Sequence, residues 1–156
     1  MRGSSAVFAS FFAAVLAQTA ACSDTGSGSD SNDGGASGSG GGELCADRTG
    51  GALVDFEIVE ETLRVWIENT AFITEAERLL AAGETRVPVF DTLVDGTDCD
   101  PQWSWHPDPV EVDFADFTIE ICDAVPSYIE ENEAEWFDSV GSYCPWSARV
   151  TAVTAQ

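Results

Sequence analysis

The 156-residue sequence predicts an α+β domain in which a mostly antiparallel sheet packs with two helices and disulfides stabilise the fold. Two early segments alternate apolar and polar residues, which is typical of half-buried strands. Two other segments carry apolar residues at helical spacing. Four cysteines lie in the same region: Cys45, Cys99, Cys122 and Cys144. An even number favours two disulfides in an oxidising compartment, and the sequence leaves all three pairings open.

The segment before this domain predicts export. Residues 1–22 carry Arg2 as their only charged side chain, then an apolar run of about a dozen residues, then a small-residue exit. A secretory signal has this pattern, whereas a membrane span needs about 20 apolar residues. The exit, Thr19-Ala20-Ala21-Cys22, resembles the lipobox of bacterial lipoproteins. This resemblance implies a lipid on Cys22, and plain secretion with cleavage near Ala21 is the alternative.

Residues 23–42 predict a disordered tether. They are mostly Gly, Ser and Asp and include no aromatic residue and no aliphatic residue larger than Ala. Such a chain cannot contribute to a core, and its r.m.s. reach is roughly 25 Å. Residues 43–156 then form a single domain. We expect it in the cell envelope, anchored through Cys22 in the periplasm or at the cell surface, and otherwise secreted.

The charge of the predicted domain restricts its partners. Residues 43–156 hold 25 acidic residues, five arginines and no lysine, which gives a formal net charge of −20. Nucleic-acid binding is excluded because phosphate contacts need a basic surface. Direct adhesion to anionic lipid is disfavoured for the same reason, so only the lipid on Cys22 would contact a membrane. Solubility, screening in salty water and divalent-cation binding each explain the acidity.

The first elements follow from local patterns. Residues 54–59 and 63–68 predict two strands with a turn at residues 60–62. The alternation places Trp66 on the face opposite Leu63, where it would pack beneath a helix or lie exposed, and the first is favoured. A helix follows around residues 73–80, with a cap at Thr74 or at Thr70 and a stop at Gly83.

The later elements are less regular. Residues 87–94 predict a third strand, and the Pro- and Asp-rich residues 95–109 predict a loop. Residues 110–122 predict an extended segment with a bulge near Ala115 and Asp116, where the apolar parity changes, and a helix is the alternative. The second helix runs from Pro126 to about Val140, and residues 149–154 form a last strand. The inward side chains of that helix are expected to be Tyr128, Ile129, Trp136 and Val140.

Several short motifs in residues 103–150 carry a family resemblance. They are Trp103-Ser104-Trp105-His106-Pro107-Asp108-Pro109, Ile119-Glu120-Ile121-Cys122-Asp123-Ala124, Tyr128-Ile129-Glu130 and Cys144-Pro145-Trp146-Ser147-Ala148-Arg149. Together they resemble the family of domains typified by the N-terminal domain of the slime-mould seventy-four-kilodalton binding protein. The resemblance covers most of residues 54–150 and implies a fold rather than an activity. It also implies a disulfide between Cys122 and Cys144, which belong to the family pattern, and this leaves Cys45 to pair with Cys99.

The same motifs supply the candidate binding residues: Trp103, Ser104, His106, Asp108 and Trp146. His106 is the only histidine, so a multi-histidine metal site is excluded and a serine triad would depend on this residue. Two interpretations remain for the segment. It is either an internal hydrogen-bonded loop anchor, which is favoured, or part of a small hydrolase that uses His106 with Ser104 or Asp108.

A second cluster, Asp95, Asp98 and Asp100, provides oxygen ligands at short spacing. It lacks the EF-hand pattern, so an Asp- and Gly-containing turn is favoured over a metal site, and any calcium binding is expected to be weak. No cofactor is expected to be required. The sequence therefore predicts a non-catalytic binding module of the envelope, whose ligand is an envelope or extracellular protein, a glycan or calcium.

Overall fold

The computed structural model describes residues 44–156; the predicted signal, Cys22 and the tether lie outside this part of the chain. Its elements, in chain order, are β1 Ala52–Ile58, β2 Glu61–Ile67, α1 Thr70–Ala82, β3 Val87–Phe90, β4 Leu93–Asp95, β5 Trp105–Pro107, β6 Val112–Ala115, a 3-10 turn Glu120–Cys122, α2 Pro126–Glu131, α3 Glu133–Glu135, a π-helical turn Trp136–Val140 and β7 Ala148–Ala155. The predicted α+β class with antiparallel sheets is confirmed. No helix within residues 44–156 is both long and apolar enough to cross a lipid bilayer.

The largest sheet has the strand order β2-β1-β7, with antiparallel pairing throughout. Its apolar face is formed by alternate residues of β1 and β2, because successive side chains of a strand point to opposite faces. These residues are Val54, Phe56, Ile58, Leu63, Val65 and Ile67, and all are buried. Both predicted strands and the last predicted strand are therefore present. The turn lies at Val59 and Glu60, earlier than residues 60–62, since Ile58 pairs with Glu61.

Helix α1 packs Phe72, Ala76 and Leu79 into the core. Its N-cap is Asn69, whose side-chain oxygen accepts hydrogen bonds from the backbone N–H groups of Ala71 and Phe72. The caps predicted at Thr74 and Thr70 are therefore wrong. The Asn69 amide also donates to the carbonyl of Val112 in β6, a tertiary contact that fixes the helix start. Gly83 ends the helix at φ 66°, as predicted, because glycine tolerates the left-handed conformation.

The predicted strand at residues 87–94 is two strands that serve different sheets. β3 pairs with β6, whereas β4 pairs with β5. The chain changes partner between Phe90 and Leu93, where Asp91 N–H donates to the carbonyl of Glu111 and Asp108 N–H donates to that of Thr92. These bonds to a neighbouring loop replace the ladder of a continuous strand. Local alternation does not reveal such a change of partner.

Residues 110–122 depart from both predicted alternatives. Only Val112–Ala115 is a strand, and the chain then leaves the sheet and enters the 3-10 turn. The change of apolar parity marks this exit rather than a bulge. Phe117, Ile119 and Ile121 follow it and are exposed.

The predicted second helix is broken into shorter turns. α2 stops at Asn132, α3 follows as one turn, and the π-helical turn ends at Gly141, which has φ 76°. Ile129 and Trp136 face the core as expected. Tyr128 does not, since it is about half exposed. The interruption at Asn132 changes which residues face the core, so the apolar spacing of a single continuous helix does not predict the buried side chains of this segment.

Tyr143 joins the small sheets to the helical segment. It exchanges two backbone hydrogen bonds of 2.8 Å with Phe90 of β3. Its ring also packs against those of Phe90, Trp105 and Trp136. Burial raises the pKa of the Tyr143 phenol well above its ordinary value, so the group stays protonated, and it donates to the carbonyl of Ala124.

Two disulfides close the described part of the chain: Cys45–Cys99, with Cα atoms 5.5 Å apart, and Cys122–Cys144, with Cα atoms 5.1 Å apart. These are the pairs that the family resemblance implied. The first bridge also holds residues 44–51 over the outer face of the large sheet. Residues 50 and 51 exchange backbone hydrogen bonds with Gln156 at the end of β7.

Trp66 is covered by this N-terminal segment. The predicted cover, a helix, is wrong: Trp66 is buried in a small cluster with Cys45, Leu53 and Cys99. The guanidinium of Arg48 lies 5.6 Å from the centroid of its ring, within the range of a cation–π contact. The indole N–H donates to the Glu68 carboxylate. The segment that covers Trp66 is held by a disulfide between residues 54 positions apart, and the alternation of residues within a strand cannot predict such a distant contact.

The role of Asn69 gives a stability prediction. Asn69→Ala removes the acceptor for two N–H groups of α1 and the donor to Val112, so we expect the free energy of unfolding to fall by about 1–2 kcal/mol in urea titrations. Thr74→Ala is the control. Thr74 is not the cap, and its change should stay within about 0.5 kcal/mol. A larger loss for Thr74→Ala than for Asn69→Ala would contradict this helix start.

Candidate functional site

The aromatic residues of the segment at 103–109 are held inside the domain. Trp103 is partly buried against the core, and its indole N–H donates to the backbone carbonyl of Thr62. Trp105 is 1% exposed and packs on Tyr143. Both residues therefore connect β5 and the preceding loop to the large sheet and the core. Trp105 offers no free aromatic face, whereas Trp103 is half-buried.

The polar residues of the same segment do not form a catalytic arrangement. Ser104 Oγ lies at hydrogen-bonding distance from the carboxylates of Glu130 and Glu133, and its backbone N–H donates to Glu130. His106 Nδ1 lies 3.0 Å from the carbonyl oxygen of Pro107 and 4.0 Å from Asp98 Oδ2. The structure thus directs Ser104 toward carboxylates rather than toward His106. A serine nucleophile needs a hydrogen bond to its base, and this pair does not form one.

Asp108 has a turn-forming role. Its Oδ1 accepts hydrogen bonds from the backbone N–H groups of Val110 and Glu111, at 2.9 and 3.1 Å. A carboxylate that caps a turn in this way fixes the course of the chain between β5 and β6. The structure therefore gives Asp108 no contact with His106 that would serve the hydrolase interpretation.

Two of the three aspartates of the predicted metal cluster have separate partners. Asp98 forms an ion pair with Arg48. Asp100 is buried and accepts hydrogen bonds from the backbone N–H groups of Arg64 and Gln102. Asp95 is exposed at the end of β4. Among residues 44–156, the one group of three acidic or sulfur ligands that converge within 4.8 Å is Cys45, Asp98 and Cys99, and its two sulfurs are in the disulfide.

An exposed groove lies elsewhere, where the chain leaves β6. It is lined by Val87, Asp116, Phe117, Thr118 and Trp146 and has a volume of about 300 Å³. Phe117 is 87% exposed and Trp146 is 45% exposed. Ile119 and Ile121, in the same loop as Phe117, are also mostly exposed. Apolar residues concentrated in this way mark a surface for interaction more often than scattered ones do.

The groove is braced on both sides by covalent and polar contacts. The disulfide Cys122–Cys144 joins the loop that contains Phe117 to the segment that contains Trp146. The backbone N–H of Trp146 donates to Asp123, and its indole N–H donates to Thr118 Oγ1. The loop is thus fixed relative to Trp146 at several points. The walls of the groove are therefore held in place by the fold itself.

Acidic side chains accompany the groove. Arg86, beside Val87, donates to Asp116 and to Glu75 of α1. Hydrogen bonds from Arg78 and then from Arg86 lower the pKa of Glu75 to about 2, although desolvation acts in the opposite direction. Arg86 is therefore shared between two carboxylates, of which Asp116 lines the groove.

A family model for the N-terminal domain of the seventy-four-kilodalton binding protein matches residues 52–156, which is more than half of the chain. The chain belongs to this family of binding-protein N-terminal domains. The resemblance inferred from the motifs is confirmed. No curated protein and no solved structure matches the chain.

In this binding-protein N-terminal domain, motif residues such as Ser104 and Trp105 form contacts inside the domain. Most of the residues that line the groove lie outside the motifs. Of the predicted site residues, only Trp146 lines it. Sequence reasoning missed Val87, Asp116, Phe117 and Thr118. The parity change at Ala115 and Asp116 was the available signal, since apolar residues that continue after a strand ends must face solvent or another partner.

Asp100 gives a test of the separate roles of the aspartates. Asp100→Ala leaves the N–H groups of Arg64 and Gln102 without this acceptor, so we expect a loss of about 1–3 kcal/mol in the free energy of unfolding. Asp95→Ala, at an exposed position, should change it by no more than about 0.5 kcal/mol. Calcium calorimetry on both variants completes the test. An equal loss of calcium affinity in the two would show that the aspartates act as one metal site.

Glu75 gives a pH-dependence. Its pKa in the folded state is about 2, against an ordinary value of 4.5, so its stabilising effect is complete above about pH 4.5 and is lost as the pH falls toward 2. Glu75→Gln should therefore be less stable than the wild type at pH 7, and urea titrations should show that this difference shrinks between pH 4.5 and 2. The control is Glu77→Gln, an exposed carboxylate of the same helix. A difference for Glu75→Gln that stays constant with pH would contradict the pairing.

Proposed function

We propose that the protein is an exported, non-catalytic binding module of the cell envelope, anchored through a lipid on Cys22, and that its ligand is a protein. The exposed groove carries this proposal. Around it, Phe117, Ile119, Ile121 and Trp146 face solvent on a scaffold braced by a disulfide, and concentrated apolar surfaces of this kind are typical of protein interaction. The polar residues that could have supported catalysis have structural partners instead.

Export is supported by the sequence and by the disulfides. Residues 1–22 have the pattern of a secretory signal, and disulfides persist in oxidising compartments. The lipobox-like end at Cys22 and the adjoining tether support an anchor from which a folded domain reaches partners at a distance. The module would then act in the periplasm or at the cell surface.

The other ligand classes are less well supported. Calcium would need several oxygen ligands around one point, and Asp98 and Asp100 are directed to Arg48 and to backbone N–H groups. The polar side chains that line the groove, Asp116 and Thr118, already form hydrogen bonds with Arg86 and Trp146, so the groove supports a glycan less well than an apolar side chain. The hydrolase alternative gains no support, because Ser104 contacts Glu130 rather than His106.

Cellular fractionation tests the anchor. The wild-type protein should remain with the membrane fraction, because a lipid on Cys22 adds buried CH₂ groups, each worth about 0.8 kcal/mol. Cys22→Ser should move the protein to the soluble fraction. Ser23→Ala, the adjacent position, is the matched control and should behave like the wild type. If wild type and Cys22→Ser partition alike, the lipid anchor is wrong.

A further inference from the structure

The loop formed by residues 116–121, called the 116–121 loop below, presents an alternating surface. Phe117, Ile119 and Ile121 are 87%, 68% and 65% exposed, at every second position. Asp116 precedes Phe117, and Glu120 lies between Ile119 and Ile121; both carboxylates are exposed. An apolar residue exposed alone is ordinary, but three within five residues beside a half-exposed Trp146 form a patch.

The loop is fixed before any partner arrives. At its start, Arg86 donates to the carbonyl of Phe114 and to the carboxylate of Asp116. At its end, Cys122 is bonded to Cys144, whose backbone N–H donates to the Cys122 carbonyl at 2.7 Å. In its middle, Thr118 accepts a hydrogen bond from Trp146. Binding to such a preorganised surface loses little conformational entropy.

The charge around the loop determines which partner fits. Four exposed carboxylates, called the acidic rim below, lie along residues 113–123: Asp113, Asp116, Glu120 and Asp123. The nearby cation, Arg86, already pairs with Asp116 and Glu75. The domain as a whole carries −20. A second copy of the chain and an anionic membrane are both repelled by this field, whereas a cationic protein segment is attracted.

We propose that the groove between Phe117 and Trp146 is a docking surface for an extended cationic protein segment, an inference that rests on the proposed function and specifies its ligand. One apolar side chain of the segment occupies the groove. Its Lys or Arg side chains meet the acidic rim. The alternation of the 116–121 loop suits a partner in which apolar and basic residues alternate, because side chains of an extended segment have a period of two.

Fluorescence anisotropy with a labelled peptide of alternating leucine and lysine tests this surface. The protein is the soluble Cys22→Ser chain, and the control peptide replaces each leucine with serine at the same charge. We expect the leucine peptide to bind and the serine peptide to bind at least about tenfold more weakly, because apolar anchors dominate such interfaces. Equal affinity for the two peptides would overturn the groove as the apolar site.

Matched variants locate the binding. Phe117→Ser combined with Ile119→Ser should weaken binding of the leucine peptide by about tenfold or more, whereas Val59→Ser, an exposed apolar residue in the β1–β2 turn, should not. Asp113→Asn combined with Glu120→Gln should weaken binding and reduce its salt dependence. Circular dichroism checks that each variant is folded. If the loop variant binds as tightly as the Val59→Ser control, or if the leucine peptide does not bind, the proposed surface is wrong.

Two further experiments test the other ligands that the groove could bind, a lipid surface and a second copy of the chain. Flotation with phosphatidylcholine vesicles tests a lipid surface, and sedimentation equilibrium tests self-association. Loop-dependent binding to vesicles, or loop-dependent dimers, would overturn the assignment to a cationic protein segment. These outcomes concern the ligand and its binding surface. The lipid anchor in the proposed function is tested separately, by the fractionation of wild type and Cys22→Ser.

Discussion

The packing around Tyr143 is the interaction on which the rest of the structure depends. The described part of the chain divides its strands among one three-stranded and two two-stranded sheets. Two-stranded sheets are marginal by themselves, so they must be held by packing against other elements. Tyr143 supplies this contact, because it bridges the backbone of β3 and packs its ring against Trp105 of β5 and Trp136 of the π-helical turn. The neighbouring Cys144 fixes its position through the bond to Cys122.

The family motifs therefore explain how the domain holds together. Trp105 packs against Tyr143, and Cys144 is the next residue in the chain. Ser104 connects the same region to α2 through its hydrogen bond to Glu130. Residues that look chemically versatile in the sequence can have such structural roles, since most polar groups inside a protein form hydrogen bonds with other groups of the chain. The exposed apolar residues that support a binding function come from the loop between strand and disulfide. Scaffold and binding surface thus occupy neighbouring but different stretches of the chain.

Local periodicity predicted β1, β2, α1 and β7 because each of these elements directs apolar side chains at regular spacing toward the core. It failed where the environment changes within a segment. The strand predicted at residues 87–94 changes sheets, the helix predicted to reach Val140 is interrupted at Asn132, and residues after Ala115 leave the sheet. For the candidate site, sequence indicated Trp146 but not the groove, because its walls come from β3, the 116–121 loop and the segment after Cys144. Only tertiary structure brings these together.

The residues that cover Trp66 lie outside the part of the chain that the family model matches. The family match begins at residue 52, yet Cys45 and Arg48, which cover Trp66, precede it. A chain that begins at residue 52 would contain the residues of every strand and helix described above. It would also uncover Trp66 and leave the Cys99 thiol free to form a disulfide with another molecule. The part of the chain that keeps Trp66 buried is therefore longer than the part that the family model matches.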